Sequence, residues 1–109
     1  MFLRYVILVI TVFAPQCVVA EKFADDIATR SLYQHNCFTC HGTGLPGVPQ
    51  KGDSTEWQRR ALQGKAVLYQ HALEGFIGDS DMLMPPMGGN AELSETQVRQ
   101  LVDYMLEEP

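Results

Sequence analysis

The sequence predicts an all-α domain of about four helices. Apolar residues recur at three- and four-residue intervals in separate stretches, which is the period of a helix face. The breakers gather in two places: Gly42, Gly44, Pro46, Gly47, Pro49 and Gly52 in one loop, Pro85, Pro86, Gly88 and Gly89 in another. Ser94-Glu95-Thr96-Gln97 is a capping box, a helix start readable from sequence alone.

Residues 21–36 read as the first helix. Phe23, Ile27 and Tyr33, with Ala24, Ala28 and Leu32, supply its apolar spacing. Asp25 and Asp26 fall in its first turns, where negative charge suits the helix dipole. Residues 42–53 are a loop, since no regular element survives that density of glycine and proline. Ser54 or Thr55 is expected to cap a short helix running to Gln63, with Trp57, Arg59 and Arg60 on it. Gly64 and Gly75 bracket a further helix, residues 65–74, with Val67, Leu68, Ala72 and Leu73 apolar. Residues 76–91 read as irregular, because two prolines and two glycines forbid a helix there. The last helix follows the capping box to about Glu107, with Val98, Leu101, Val102 and Met105 as its stripe.

The first helix runs into Cys37-Phe38-Thr39-Cys40-His41. C-x-x-C-H is the pattern of covalent c-type haem attachment. Positions i and i+3 are neighbours on a helix, so both sulfurs can reach two vinyl groups on one edge of a ring. The next residue, His41, then offers an imidazole to the iron. A thioredoxin-like pair would need a βαβ context, and no strand-rich pattern adjoins the motif. Structural zinc usually takes four Cys or His ligands, and beyond the leader only His35 and His71 remain to join the three motif residues. One haem c per chain is therefore expected.

Residues 1–20 differ from the rest. Arg4 precedes an apolar run, Pro15-Gln16 breaks it, and Val18-Val19-Ala20 offers small or modest residues before a cut. This is the layout of a secretory signal peptide, with residues 21–109 as the mature domain. An uncleaved membrane anchor is the alternative, but the run is short against the ~20 residues a span needs. Without Arg4, seven basic and thirteen acidic residues remain, a formal charge of −6. That balance excludes a nucleic-acid binder, which needs cations to neutralise phosphates. A domain this small buries only about 60% of its unfolded surface, so a flat apolar cofactor would be part of its core.

Four methionines follow the leader. Met105 lies in a helical stripe and reads as core, which leaves Met82, Met84 and Met87 on the second loop as candidates for a distal iron ligand. Met84 precedes Pro85, and a residue before proline is held extended. An indole N–H on Trp57 and a guanidinium nearby could donate to a haem carboxylate.

Taken together, residues 21–109 resemble a class I cytochrome c, closest to the bacterial cytochrome c5 group. The likeness rests on Cys37-x-x-Cys40-His41, His-Gly-Thr-Gly with Pro49, Gly52-Asp53, Trp57-x-x-Arg60, Leu73-x-Gly75, Met84-Pro85-Pro86-x-Gly88-Gly89-Asn90 and Val102-Asp103-Tyr104-Met105. The resemblance implies that Cys37 and Cys40 hold the haem, His41 is the proximal ligand and Met84 the distal one. It also implies that Pro49 accepts the other His41 N–H and that Trp57 lines the propionate side. Thr29 departs from the pattern, near a helix crossing where many relatives carry glycine. The implied function is a periplasmic single-electron carrier, not an enzyme, exchanging electrons with redox proteins of a respiratory chain and turning over no small molecule. The alternatives are a relay subunit of a larger membrane oxidase or dehydrogenase, and a haem peroxidase or gas-binding protein. Membrane association is expected only if residues 1–20 are retained.

Overall fold

The computed structural model describes residues 16–107. The chain forms α1 (Gln16–Asn36), α2 (Phe38–His41), α3 (Ser54–Ala61), α4 (Lys65–Glu74), β1 (Phe76–Ile77), β2 (Leu83–Met84) and α5 (Glu95–Leu106). This is the expected all-α architecture, since α2 is a single turn set on the end of α1 across a bend at Cys37.

Three differences from expectation stand out. Helix α1 covers Gln16–Asn36, so it is continuous across the expected cleavage point between Ala20 and Glu21. Residues 1–15 of the expected leader lie outside the described residues, as does the side chain of Phe23. The short helix α3 is capped by Asp53, whose carboxylate accepts from the Glu56 N–H at 3.2 Å, not by Ser54 or Thr55. Aspartate caps as well as serine does, and Asp53 simply stands one place earlier. The third difference is a two-stranded antiparallel ribbon pairing Phe76 with Met84 and Ile77 with Leu83. Strands of two residues carry too little pattern to be read from sequence.

The core is where α1, α4 and α5 meet. Tyr33, Ala72, Leu93, Val98, Leu101 and Met105 form one buried cluster, with Leu32, Leu73, Val102 and Tyr104 packed against it. The Tyr33 and Tyr104 rings lie 5.2 Å apart. Only the last turns of α1 take part. Ala24, Ile27 and Ala28 share its apolar spacing but are exposed, Ile27 at 67%. Their apolar spacing would suit a core position, but helical spacing only makes a face, and α5, twelve residues long, covers only the end of it. Thr29 is half-buried.

α5 begins at the expected capping box. Ser94 Oγ accepts from the Gln97 N–H at 3.1 Å, and Gln97 Oε1 accepts from the Ser94 N–H at 2.9 Å. Across the bundle, Tyr69 Oη donates to Asp103 Oδ1 at 2.6 Å and Lys65 Nζ reaches the same oxygen at 2.9 Å, joining α4 to α5.

Candidate functional site

The attachment turn is built by backbone hydrogen bonds that carry the helix through the motif. The Cys37 N–H donates to Tyr33 O at 2.9 Å, and the His41 N–H donates to Cys37 O at 2.9 Å. Both thiols are free, Cys37 half-buried and Cys40 exposed. Burial pushes the Cys37 thiol up to about 11, with Cys40 adding to the shift. Gly42 ends the turn. A Cβ there would collide with the Phe38 ring and stand 2.9 Å from the Tyr33 hydroxyl, so any side chain at 42 would displace that ring.

Loop 42–53 folds back under this turn and fixes the histidine. His41 Nδ1 lies 2.7 Å from Pro49 O. A carbonyl only accepts, so Nδ1 carries the proton and Nε2 keeps its lone pair. Nε2 has no hydrogen-bond partner among the described residues. Burial pushes the imidazole below its ordinary value; the Pro49 contact opposes this and the Arg60 cation adds to it. The loop itself is stapled by residues that sequence reasoning passed over. Gln50 Nε2 donates to Cys40 O at 2.9 Å and Val48 O at 3.0 Å, while its Oε1 accepts from the Gly44 N–H at 2.8 Å. The Lys51 N–H donates to His41 O at 2.8 Å. Its ammonium donates to Tyr104 O at 2.7 Å and lies 4.0 Å from the centre of that ring, so Lys51 caps the end of α5.

Trp57 stands beside His41, with ring centres 6.3 Å apart. Its indole N–H donates to Gln50 O at 2.8 Å. In this structure that N–H is taken up by the loop that holds His41. Arg59 and Arg60 both bond Glu56, at 2.7 Å and 2.8 Å.

The second loop comes in from the other side of the sequence. Met84 sits in β2, half-buried against the core, followed by extended Pro85. Met87 also packs against the core, from a left-handed backbone position at φ 59°. Met82 is 39% exposed and lies against the first loop: a Cβ on Gly47 would be 3.3 Å from its Cγ. Ser80 Oγ donates to Gly47 O at 2.8 Å, so the two loops touch there. That approach requires glycine twice over, since Gly47 has φ 79° and a Cβ would stand 2.8 Å from Ser80 Cβ. His71 is spent otherwise, stacked on Phe76 at 3.8 Å between ring centres.

The residues present fit a haem. Two unpaired thiols lie one helical turn apart, and beside them an imidazole has one nitrogen held and the other free. The apolar interior stops short. No large side chain among the described residues is fully buried, and Cys37, Trp57, Leu73, Met84 and Met87 ring the core only half-covered. A flat apolar group would complete that interior.

Comparison with known proteins agrees with this chemistry. A family profile described as "Cytochrome C oxidase, cbb3-type, subunit III" matches residues 24–105. Cytochrome c-555 of Chlorobaculum tepidum is 40% identical over 87 residues, covering 79% of this chain and 80% of that protein. Cytochrome c5 of Ectopseudomonas mendocina is 32% identical over 87 residues, covering 77% of this chain and 87% of that protein. A chain in the crystal structure of an electron transfer complex of nitrite reductase with cytochrome c is 35% identical, with a TM-score of 0.61. The match covers 72% of this chain and 90% of that one.

Proposed function

The chain belongs to the class I c-type cytochromes, close to the c5 group, and from that premise we propose that it is a periplasmic single-electron carrier with one haem c held between His41 and Met84. Family membership brings covalently bound haem c and electron transfer in place of catalysis. When bound, that group supplies an iron that alternates between Fe(II) and Fe(III).

The roles of the residues follow from their chemistry. Cys37 and Cys40 hold the group by thioethers. Pro49 fixes the tautomer and plane of His41, as second partners of metal-bound histidines do. Met84 would offer a soft thioether, which together with the imidazole of His41 would favour the reduced metal and raise the potential. Trp57 lines the His41 side and braces Gln50. Residues 1–20 direct export and are removed. The partners are redox proteins.

The observation that carries this reading is the free Nε2 of His41, held in place by Pro49 at 2.7 Å beside two thiols on the same turn. Mass spectrometry of the periplasmic protein tests it. The expected species begins at Glu21 and carries one haem that survives acid extraction. A mature mass with two free thiols and no haem sinks the proposal. The description of the matching profile favours a second reading, a relay cytochrome within a larger oxidase. Among the described residues no helix is long and apolar enough to cross a membrane. Sizing the native protein in mild detergent separates a free carrier from a subunit.

A further inference from the structure

One pair of side chains ties the second loop to the attachment helix. Asn90 Nδ2 donates to Asn36 Oδ1 at 2.9 Å, between residues 54 apart in the chain. Asn36 ends α1 and immediately precedes Cys37. Both asparagines are half-buried.

Backbone partners fix the orientation of each amide. Asn36 Nδ2 donates to Leu32 O at 2.9 Å, so its oxygen is the atom left to face the loop. Asn90 Oδ1 accepts from the Glu92 N–H at 3.0 Å, so its nitrogen is the atom left to face Asn36. The donor and acceptor therefore match without a free choice of flip. The contact is also close in the backbone: a Cβ on Gly88 would lie 3.5 Å from Asn36 O. The Asn90 N–H in turn donates to Met87 O at 3.2 Å, closing the turn on itself. Between Met84 and Asn90 stand Pro85 and Pro86, whose rings fix φ and stiffen the segment. Gly88 and Gly89 follow the prolines, but the Gly88 N–H donates to Pro85 O at 3.2 Å, so with the Asn90 bond the turn is closed twice and a displacement at Asn90 is carried back toward Pro85.

We propose that the Asn36–Asn90 amide pair is the clamp that registers the Met84 loop against the attachment turn, which makes both asparagines positioning residues for the distal ligand. This rests on the reading of Met84 as that ligand. The clamp opposes excursions in which the loop lifts and the sulfur withdraws. Weakening it raises the fraction of open protein and so the affinity of a competing ligand.

The test uses the ferric holoprotein and imidazole as the competitor, with the sulfur-to-iron absorption band as the readout. Asn36→Leu keeps the size of the side chain but removes the acceptor, and Asn90→Asp keeps the shape of the side chain but sets an oxygen against Asn36 Oδ1. Each variant is expected to keep its covalent haem and the band, and to bind imidazole about tenfold more tightly, a decade being typical when a buried group loses its partner. Unchanged imidazole affinity in both variants, with a lowered urea midpoint, overturns the clamp and leaves an ordinary structural contact. Met84→Ala separates the two readings. Loss of the band there with unaltered Asn36→Leu and Asn90→Asp defeats the clamp alone, whereas a band that survives in Met84→Ala defeats the ligand assignment on which it stands.

Discussion

Pro49 can only accept a hydrogen bond, and that single restriction orders the chemistry of His41. Proton on Nδ1 means lone pair on Nε2, so a proline carbonyl 2.7 Å away selects the nitrogen that can meet iron. No such selection singles out a methionine, because a thioether has no proton to place. Backbone context distinguishes the three loop methionines instead. Met82 lies against Gly47 and is the most exposed of the three. Met87 occupies a left-handed position after the prolines. Met84 is extended, paired with Phe76 and half-buried. Met84→Ala is expected to abolish the weak sulfur-to-iron band of the ferric spectrum, lower the potential and open the iron to small ligands, while the thioethers persist. A band that survives in Met84→Ala and disappears in Met87→Ala would transfer the role to Met87. Local spacing marks the cysteines and His41 as candidates in the sequence, and the following proline marks Met84. Gln50, Ser80 and the Asn36–Asn90 pair were not legible there, because each acts through a fold-made contact that neither side's local spacing announces.

At the scale of elements, the caps are independent of the cofactor and can be tested as such. Ser94→Ala removes the acceptor for the Gln97 N–H at the start of α5. A loss of about 1 kcal/mol is expected in chemical unfolding of the holoprotein, with the spectrum unchanged. In α3, hydrogen bonding by Arg59, with Arg60 adding to it, holds the Glu56 carboxyl down to about 2. A carboxyl whose folded value is depressed stabilises the fold in full above its unfolded value, near 4.5, and loses that contribution as pH falls toward 2. Arg59 is 64% exposed, so solvent screening keeps the gain to roughly 1 kcal/mol or less. Glu56→Gln should therefore lower the melting temperature at pH 7 but leave it near that of the parent at pH 2.5. An equal loss at both pH values would mean that packing, not charge, is what Glu56 supplies. The same elements mark how far periodicity can be trusted. It located α4 and α5 well, since Leu68, Ala72, Val98, Leu101 and Met105 are buried as their spacing requires. It overreached in α1, where the stripe continues through Ile27 past the end of its partner helix.

For the whole molecule, charge and apolar surface meet at the ribbon of β1 and β2. Ile77 and Leu83 are cross-strand partners, and they stand 61% and 62% exposed. Between them the chain turns through Asp79, Ser80 and Asp81, all exposed, with Met82 beside them. An apolar pair rimmed by two carboxylates suits a partner with a basic rim around an apolar centre. The acidic balance of the chain, −5 with residues 1–20 included, extends the same field beyond the patch. These two features act on different rates. Long-range attraction between opposite charges speeds encounter and is screened within about 10 Å at 0.1 M salt. Apolar contact acts after encounter, on how long the complex persists. Electron exchange with a basic redox protein is accordingly expected to slow as ionic strength rises. Asp79→Asn with Asp81→Asn should flatten that salt dependence by removing two charges from the rim. Leu83→Ser should slow exchange at every salt concentration while leaving the slope as it was. Stopped-flow rates across an ionic-strength series measure both effects. A parent rate indifferent to salt, together with a large loss in Leu83→Ser, would assign docking to the apolar pair alone, and an unaffected Leu83→Ser would move the docking face away from the ribbon.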